Sequence, residues 1–214
     1  MKEKMTFLQW IDNFWYHNKA ATIIGAFAIL LVSVASCQFF TKKPPDVFVY
    51  SVGESGIAPK AADEFRSDMQ DRFASDVNND GRVVVDLKSD TFVMVDDGTG
   101  KKYVYDPSQQ MTETQRFTME LGMFGECVVY IMDPSFFIPN VAYFASLEDV
   151  LGYTPENALE GKGIVLSDLI AYKTTSLIHF PEEYVICVVE KKDRFDDKYY
   201  EGNVEFFKKL VEYK

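Results

Sequence analysis

The chain contains few of the residues that most enzymes use for catalysis. Only 3 of its 214 residues are cysteine and 2 are histidine. It has no G-x-S-x-G, H-E-x-x-H or S-x-x-K motif. His17 lies in the N-terminal segment, and His179, in the sequence LIHFP, is more typical of a packed side chain than of a catalytic base. The sequence therefore predicts a protein that is not an enzyme. A hydrolase using two carboxylates is the least favoured hypothesis, because the many acidic residues make any one pair unspecific.

The cysteines form neither a disulfide framework nor a metal pattern. No Cys-x-x-Cys pair or Cys/His cluster occurs, which argues against a zinc site. Cys127 and Cys187 lie in the apolar stretches GECVVYI and YVICVVE, so we expect them to be small buried core residues. A disulfide between them would require their two strands to be neighbours.

Positive charge is scarce in the larger part of the chain. After position 43 there are 17 basic and 31 acidic residues, a net charge of about −14. Such a negative field repels nucleic acid, favours cations and keeps an exposed domain soluble. This part has about 170 residues, which suits one domain, and the aromatic content of 15% argues against disorder.

Charge is absent from the run 20–41, which is long enough to cross a lipid bilayer as a helix. We therefore predict a transmembrane helix at 20–41. Residues 1–19 precede it as an amphipathic aromatic lead, which predicts a short helix lying in the membrane interface. Its aromatic and apolar residues recur on one helical face: Phe7, Trp10, Ile11, Phe14 and Trp15.

The run has a second interpretation, as a lipoprotein signal. The residues Val34–Cys37 read VASC and resemble a bacterial lipobox, which would place a lipid anchor on Cys37. A plain cleaved signal fits less well, because the leading segment is long. Three lysines precede the run and two follow it, which decides little about orientation. The acidic composition favours a single-pass protein of the cell membrane with its C-terminal domain outside.

Residues 42–45 form a Lys-Lys-Pro-Pro spacer, and residues 46–214 alternate between strand and helix patterns. Alternation of this kind implies an α/β domain with a central sheet and helices packed on its faces. The predicted strands are 46–53, 82–87, a hairpin within 91–106 with its turn at 97–100, 126–133, 163–166 in the irregular stretch 153–180, and 184–190. The predicted helices are 57–75, one beginning at Thr112, a short one capped at Ser146 and closed by Gly152, and one at the C-terminus.

Two stretches resemble a known fold family. The strand DVFVYSVG at 46–53 with the helix after it, and the segment 114–137, TQRFTMELGMFGECVVYIMDPSFF, resemble the type 2 periplasmic-binding lobe. With the single apolar run, the chain resembles small membrane-anchored bacterial proteins with such a domain. The resemblance implies a three-layer domain with a mixed central sheet that binds a solute. Solute-binding proteins close two lobes around their ligand, and this chain is short for two.

One loop has the composition of a calcium site. The loop has aspartate, asparagine, aspartate and glycine at positions 1, 3, 5 and 6, as an EF-hand-type calcium loop requires. Position 7 would contribute its backbone carbonyl as a ligand. Position 12, which is a glutamate ligand in an EF-hand loop, is Leu87 here, and an aspartate stands one residue before it. The predicted calcium ligands are Asp76, Asn78, Asp80, Arg82 through its carbonyl, and Asp86. The same residue types are also typical of an ordinary turn between a helix and a strand.

A ligand site is predicted where two strands end. The glycine-containing loop after the first strand could present backbone N–H groups to an anionic ligand, and Asp133 ends a later strand. The predicted ligand-binding residues are Ser51, Gly53, Glu54 and Asp133. A simple strand-to-helix connection and a capping aspartate are the alternative interpretations.

Two functional hypotheses follow from these patterns. The first is a membrane-tethered, non-catalytic binding module outside the cytoplasm, which predicts a concave polar pocket near Gly53 and Asp133. The second is a structural or assembly subunit of a membrane protein complex, which predicts an apolar surface patch instead. The predicted partners are the lipid bilayer through 20–41 and a small solute or a membrane protein, but not nucleic acid.

Overall fold

The structure, a computed structural model, describes residues 6–41, 44–92, 94–96, 102–104 and 117–214. It divides into two compact units, Met1–Pro44 and Pro45–Lys214. The side chain of Cys37, the predicted hairpin turn at 97–100 and the predicted helix start at Thr112 lie outside what is described.

The first unit contains one long helix, α1 (Phe7–Thr41), of 35 residues. At 1.5 Å per residue it is about 52 Å long. The predicted aromatic lead and the predicted span belong to one continuous helix, since no proline or glycine before Gly25 interrupts it. The position of the lead in a membrane interface stays a prediction. Within α1, the 22 residues Asn13–Val34 have a mean hydropathy of 1.5 and are long and apolar enough for a membrane anchor or a signal sequence.

The second unit is a mixed α/β domain with a six-stranded sheet in the order β2-β1-β5-β8-β7-β6. Its strands are β1 (Val47–Gly53), β2 (Val85–Thr91), β3 (Met94–Asp96), β4 (Lys102–Val104), β5 (Val129–Met132), β6 (Ala158–Leu159), β7 (Gly163–Val165) and β8 (Val185–Val188). Its α-helices are α2 (Pro59–Arg72), α3 (Pro134–Asn140), α4 (Leu147–Leu151), α5 (Ile170–Thr174) and α6 (Asp197–Val211). A π-helix (Glu120–Phe124) and 3-10 helices at Val141–Tyr143, Leu166–Asp168 and Ser176–His179 complete the described elements.

The sheet is mixed, as predicted. β1 lies parallel to both β2 and β5, whereas β8 runs antiparallel to β5 and to β7, and β7 runs antiparallel to β6. β3 and β4 form a separate antiparallel pair, in agreement with the predicted hairpin.

Both faces of the central strands are covered. All residues of β5 and β8 are buried, and six of the seven in β1 are buried. Because neighbouring residues of a strand point to opposite faces, burial of consecutive residues requires packing on both sides of the sheet. This explains why these strands are continuous apolar runs in the sequence rather than alternating patterns.

Two predicted regions differ from the structure. β2 begins at Val85, three residues later than predicted, because the N–H of Val84 donates to the Asp46 carboxylate (2.8 Å) before the ladder starts. The stretch 153–180 contains β6, β7, α5 and two 3-10 helices, so it is more regular than expected. The short capped helix is confirmed: Ser146 accepts the N–H of Asp149, and Gly152 adopts φ 83°.

The prediction that Cys127 and Cys187 are core residues is confirmed, since both are 0% exposed. β5 and β8 are neighbours, but Cys187 is paired with Tyr130, three residues along the strand from Cys127. Both thiols are therefore free rather than joined. Burial raises the pKa of each, so neither is a reactive thiolate.

Candidate functional site

The topology of the sheet creates one place where ligands commonly bind. The chain passes from β1 through α2 to β2 on one side of β1, and then returns to β5 on its other side. The parallel strands β1, β2 and β5 end at the same edge, which we call the carboxyl edge. A change of direction of this kind leaves a crevice outside the strand ends, the usual ligand position in open α/β sheets.

Tyr184 occupies the space over Gly53 at the carboxyl edge. A Cβ atom built on Gly53 would overlap the Tyr184 hydroxyl. The Tyr184 side chain is 1% exposed, and its hydroxyl accepts a hydrogen bond from the N–H of Ser55 at 3.1 Å. Burial raises the pKa of Tyr184, so the phenol stays neutral. Gly53 thus makes room for a side chain of the protein itself.

Asp133 is engaged in holding the chain together. It is 7% exposed and caps the N-terminus of α3, where its carboxylate accepts the N–H of Ser135 at 2.8 Å and the Ser135 hydroxyl at 2.6 Å. Its own N–H donates to the carbonyl of Val52 at 2.9 Å. This geometry favours the capping role over a ligand role.

The other two predicted ligand residues differ in accessibility. Ser51 is 2% exposed within β1, whereas Glu54 is exposed in the loop that follows. The structure therefore brings Gly53 and Asp133 to the carboxyl edge, places Ser51 inside the sheet, and leaves Glu54 alone accessible among the four.

The predicted calcium loop is a closed turn. The Asp76 carboxylate accepts the N–H groups of Asp80 (3.1 Å) and Gly81 (2.8 Å), and Asn78 also accepts from Asp80 (3.0 Å). The N–H of Arg82 donates to Asp80.

Asp86 belongs to a different contact, an ion pair with Arg66 at 3.1 Å. No group of three or more His, Cys, Asp or Glu in the described part of the chain is arranged to hold a metal ion. Calcium binding by this loop stays a prediction.

A buried carboxylate that the sequence analysis missed holds this loop to the sheet. Asp46 is 0% exposed and accepts three backbone N–H groups, those of Val77 (2.8 Å), Asn78 (3.0 Å) and Val84 (2.8 Å). Its backbone carbonyl accepts the side-chain amide of Asn203 on α6 (3.0 Å). No local pattern signals this role, because the partners lie 31 or more residues away along the chain.

An open cavity of about 440 Å³ lies elsewhere, and we call it the charged cleft. Its apolar wall consists of Ala145, Val150, Tyr200 and Val204. Its polar lining consists of Ser146, Asp149, Lys162, Glu190 and Lys191. The volume lies within the roughly 300–1,000 Å³ that small-molecule sites occupy.

Backbone contacts bring the parts of the charged cleft together. The segment at Ala145 runs beside the end of β8, where Ala145 N–H donates to Val188 (2.9 Å) and Glu190 N–H donates to Tyr143 (2.8 Å). The Lys162 ammonium reaches across and donates to the carbonyl of Phe144 at 2.6 Å. The cleft is therefore assembled from α4, the β6–β7 turn, the residues after β8, and α6.

The charges in the cleft differ in how far they are already neutralised. Lys191 pairs with Asp197 at 2.8 Å, and Asp149 accepts the Ser146 hydroxyl at 2.7 Å. The hydrogen bond leaves the charge of Asp149 in place, and none of Asp149, Lys162 and Glu190 forms an ion pair with a described residue.

The buried side of the cleft is marked by Tyr200. Its hydroxyl donates to the carbonyl of Val189 at 3.0 Å. Burial, together with the negative charges of Glu190 and Asp149, raises the pKa of Tyr200 to about 12. Both carboxylates therefore act electrostatically on the same wall of the cleft.

Sequence reasoning missed the charged cleft entirely. Its residues come from four separate segments, and none of these contains a recognisable motif. The mixture of lysines, acids and small apolar residues is that of an ordinary solvated surface until the fold brings them together.

Comparison with known proteins gives no match: no family model, no curated protein and no solved structure matches the chain significantly. A function for this protein has to be inferred from the chemistry of its own residues.

Proposed function

We propose that this protein is a membrane-tethered, non-catalytic binding module whose folded domain lies outside the cytoplasm and takes a small solute in the charged cleft. The observation that carries this proposal is the cleft itself, in which Lys162 and Glu190 line a ligand-sized cavity without neutralising each other. Opposite charges that line one cavity without forming an ion pair with each other are suited to a polar ligand.

The tether is supported by α1, whose segment Asn13–Val34 has the length and apolarity of a bilayer span. The strongly acidic composition after position 43 supports an exposed domain that anionic headgroups repel. An anchor at Cys37 is the alternative form of the same attachment.

The resemblance to a type 2 periplasmic-binding lobe belongs to this proposal. Its support is the six-stranded mixed sheet, in which α2 connects the parallel strands β1 and β2. A single lobe would hold its ligand in a surface cleft rather than between two closing lobes, which suits modest affinity.

A non-catalytic role is supported by where the reactive side chains lie. Cys127 and Cys187 are buried thiols with raised pKa values, and His179 contacts Glu64 at 2.9 Å on another element. The lining of the charged cleft, as far as the structure describes it, contains neither histidine nor cysteine.

The test is thermal unfolding of the full chain in detergent micelles with sugars, amino acids, peptides and inorganic anions. A ligand at about 100 times its Kd adds roughly 2.7 kcal/mol and should raise Tm by about 5–10 °C. We expect Glu190→Gln to reduce the shift by half or more and Glu183→Gln, an exposed acid before β8, to preserve it. The proposal fails if no compound class shifts Tm.

The second candidate, an assembly subunit of a membrane complex, is favoured by a different observation. Met119 and Met123 lie one helical turn apart and are 48% and 62% exposed, while Tyr184 already fills the space over Gly53. Exposed methionines are common at adaptable protein contacts. If this candidate holds, a Met119→Ser/Met123→Ser chain extracted in mild detergent will migrate as a smaller species on a native gel than the unmodified chain.

Calcium binding at the loop from Asp76 to Gly81 is a separate proposal. It predicts a Tm increase with millimolar calcium that Asp76→Asn removes and that Asp71→Asn, on α2, leaves intact. An equal response of both variants would identify general screening of the acidic surface instead.

A further inference from the structure

We propose that the ligand of the charged cleft is a small zwitterion, a free α-amino acid or a short peptide, whose carboxylate binds Lys162 and whose ammonium group binds Glu190. This inference rests on the proposed function and adds the chemical class of the ligand.

Lys162 is suited to hold a carboxylate. A lysine ammonium has three N–H donors, and its one described hydrogen bond, to Phe144, uses a single donor. That bond also fixes the position of the ammonium group, so little additional ordering is needed when an anion arrives.

Glu190 is suited to hold an ammonium group. Its backbone is fixed by the hydrogen bond to Tyr143, while its carboxylate has no hydrogen bond or ion pair within the described residues. It lies near Tyr200, on whose pKa its charge acts. The Lys191 ammonium already lies over the Tyr200 ring, 5.7 Å from its centre, so the ligand's ammonium group would be held by the Glu190 carboxylate and not by the ring.

The balance of charge argues against a simple anion or cation. The cleft contains two lysines and two acids. Lys191 is neutralised by Asp197, whereas the hydrogen bond from the neutral Ser146 hydroxyl leaves the charge of Asp149 in place. The cleft therefore holds one cation without an ion pair among the described residues, Lys162, together with the carboxylates of Glu190 and Asp149. An inorganic phosphate would meet the repulsion of Glu190, and a metal cation would meet that of Lys162. A molecule with both charges satisfies both groups.

The apolar wall indicates which zwitterions fit best. Val150, Val204 and the Tyr200 ring line the same cavity. An aliphatic or aromatic side chain placed against them is removed from water, at about 25 cal/mol per Å² of apolar surface. We therefore expect leucine and phenylalanine to bind more tightly than glycine or serine.

The experiment is calorimetric titration of the full chain in micelles with leucine, N-acetyl-leucine and leucinamide. The acetyl derivative lacks the ammonium charge and the amide lacks the carboxylate. Because a hydrogen bond to a charged group contributes about 1.5–3 kcal/mol, each derivative should bind at least about tenfold more weakly than leucine. A parallel titration with Leu-Leu shows whether free amino acids or peptides are preferred.

Two variants assign each charge to its partner. Lys162→Gln should weaken leucine at least about tenfold and leave leucinamide unchanged, whereas Glu190→Gln should weaken leucine equally and leave N-acetyl-leucine unchanged. Lys173→Gln and Asp71→Asn, both outside the cleft, are the matched controls and should leave all three affinities unchanged. Circular dichroism of every variant shows that the fold is retained.

The inference is overturned if leucine and Leu-Leu both fail to bind at up to about 10 mM, or if their binding is insensitive to both cleft variants. If a sugar or an inorganic anion binds and Glu190→Gln or Lys162→Gln weakens it, the proposed function stands and the zwitterion is wrong. If no compound of any class binds, both fall.

Discussion

The carboxyl edge and the charged cleft are two polar regions of one domain that use their polar groups in opposite ways. At the carboxyl edge, Asp133 caps α3 and the Tyr184 hydroxyl accepts from Ser55, so the polar groups hold the fold together. In the charged cleft, Lys162 and Glu190 line a cavity without pairing. A topological position typical of ligand binding is therefore insufficient, and it matters whether the protein's own side chains already fill it.

The largest loss of stability should come from removing the Tyr184 ring at the carboxyl edge. Tyr184→Ala removes a buried ring and should lower the free energy of unfolding by about 3–5 kcal/mol. Unfolding in urea should be followed by near-UV circular dichroism of the tyrosines, because both tryptophans, Trp10 and Trp15, lie in α1. A loss below about 1 kcal/mol would indicate that the crevice is loosely packed and able to admit a ligand.

Asp46→Asn should produce the next largest loss, about 2–3 kcal/mol. The charged carboxylate accepts three backbone N–H groups, and the asparagine amide would direct its own donors at some of them. Asp71→Asn, the control, changes an exposed acid and should stay within about 0.5 kcal/mol. Equal urea midpoints for the two variants would show that Asp46 does not anchor the loop.

Gly53→Ala should cost about 1–3 kcal/mol, because the added methyl group overlaps the Tyr184 hydroxyl. Adding Tyr184→Phe should recover part of the loss, which a double-mutant cycle measures. Gly122→Ala places its Cβ at an ordinary 3.8 Å from Tyr143 and is the control. Strict additivity of Gly53→Ala and Tyr184→Phe would mean that the two residues do not compete for space.

Tyr200 of the charged cleft should make the free energy of unfolding depend on pH in the alkaline range. The pKa of Tyr200 in the folded chain, about 12, lies above the ordinary value of 10.0. The contribution of the neutral phenol to the free energy of unfolding is therefore complete below about pH 10 and is lost as the pH rises through 12. Tyr200→Phe removes this ionisation, and its unfolding free energy should fall less between about pH 8 and 11 than that of the unmodified chain. Identical pH slopes in the two chains would contradict the burial of the phenol beside the cleft.

The smallest effect should come from Glu190→Gln, which should change the free energy of unfolding by less than about 0.5 kcal/mol. Glu190 is exposed, and its carboxylate forms no hydrogen bond or ion pair with a described residue that the amide would lose. A large loss of stability would show that Glu190 supports the fold, and the contrast with the carboxyl edge would disappear.

The successful sequence predictions concern features that depend on near neighbours. The buried strands β1, β5 and β8 are continuous apolar runs, and the Ser146 cap and Gly152 closure lie within one short helix. The start of β2 was misplaced because the Asp46 carboxylate takes the N–H of Val84, and Asp46 is 38 residues away. The aromatic lead continues into the apolar run as one helix, because nothing between them ends a helix.

Residue spacing and composition are local quantities, and they are enough to predict an apolar helix long enough for a bilayer and an acidic α/β domain. Which surface is filled and which is open depends on long-range packing. The ring of Tyr184 reaches the loop at Ser55 across 129 residues, and the cleft combines α4, the β6–β7 turn, the end of β8 and α6. Contacts between such distant residues depend on the order of the strands in the sheet, and no local sequence pattern predicts that order.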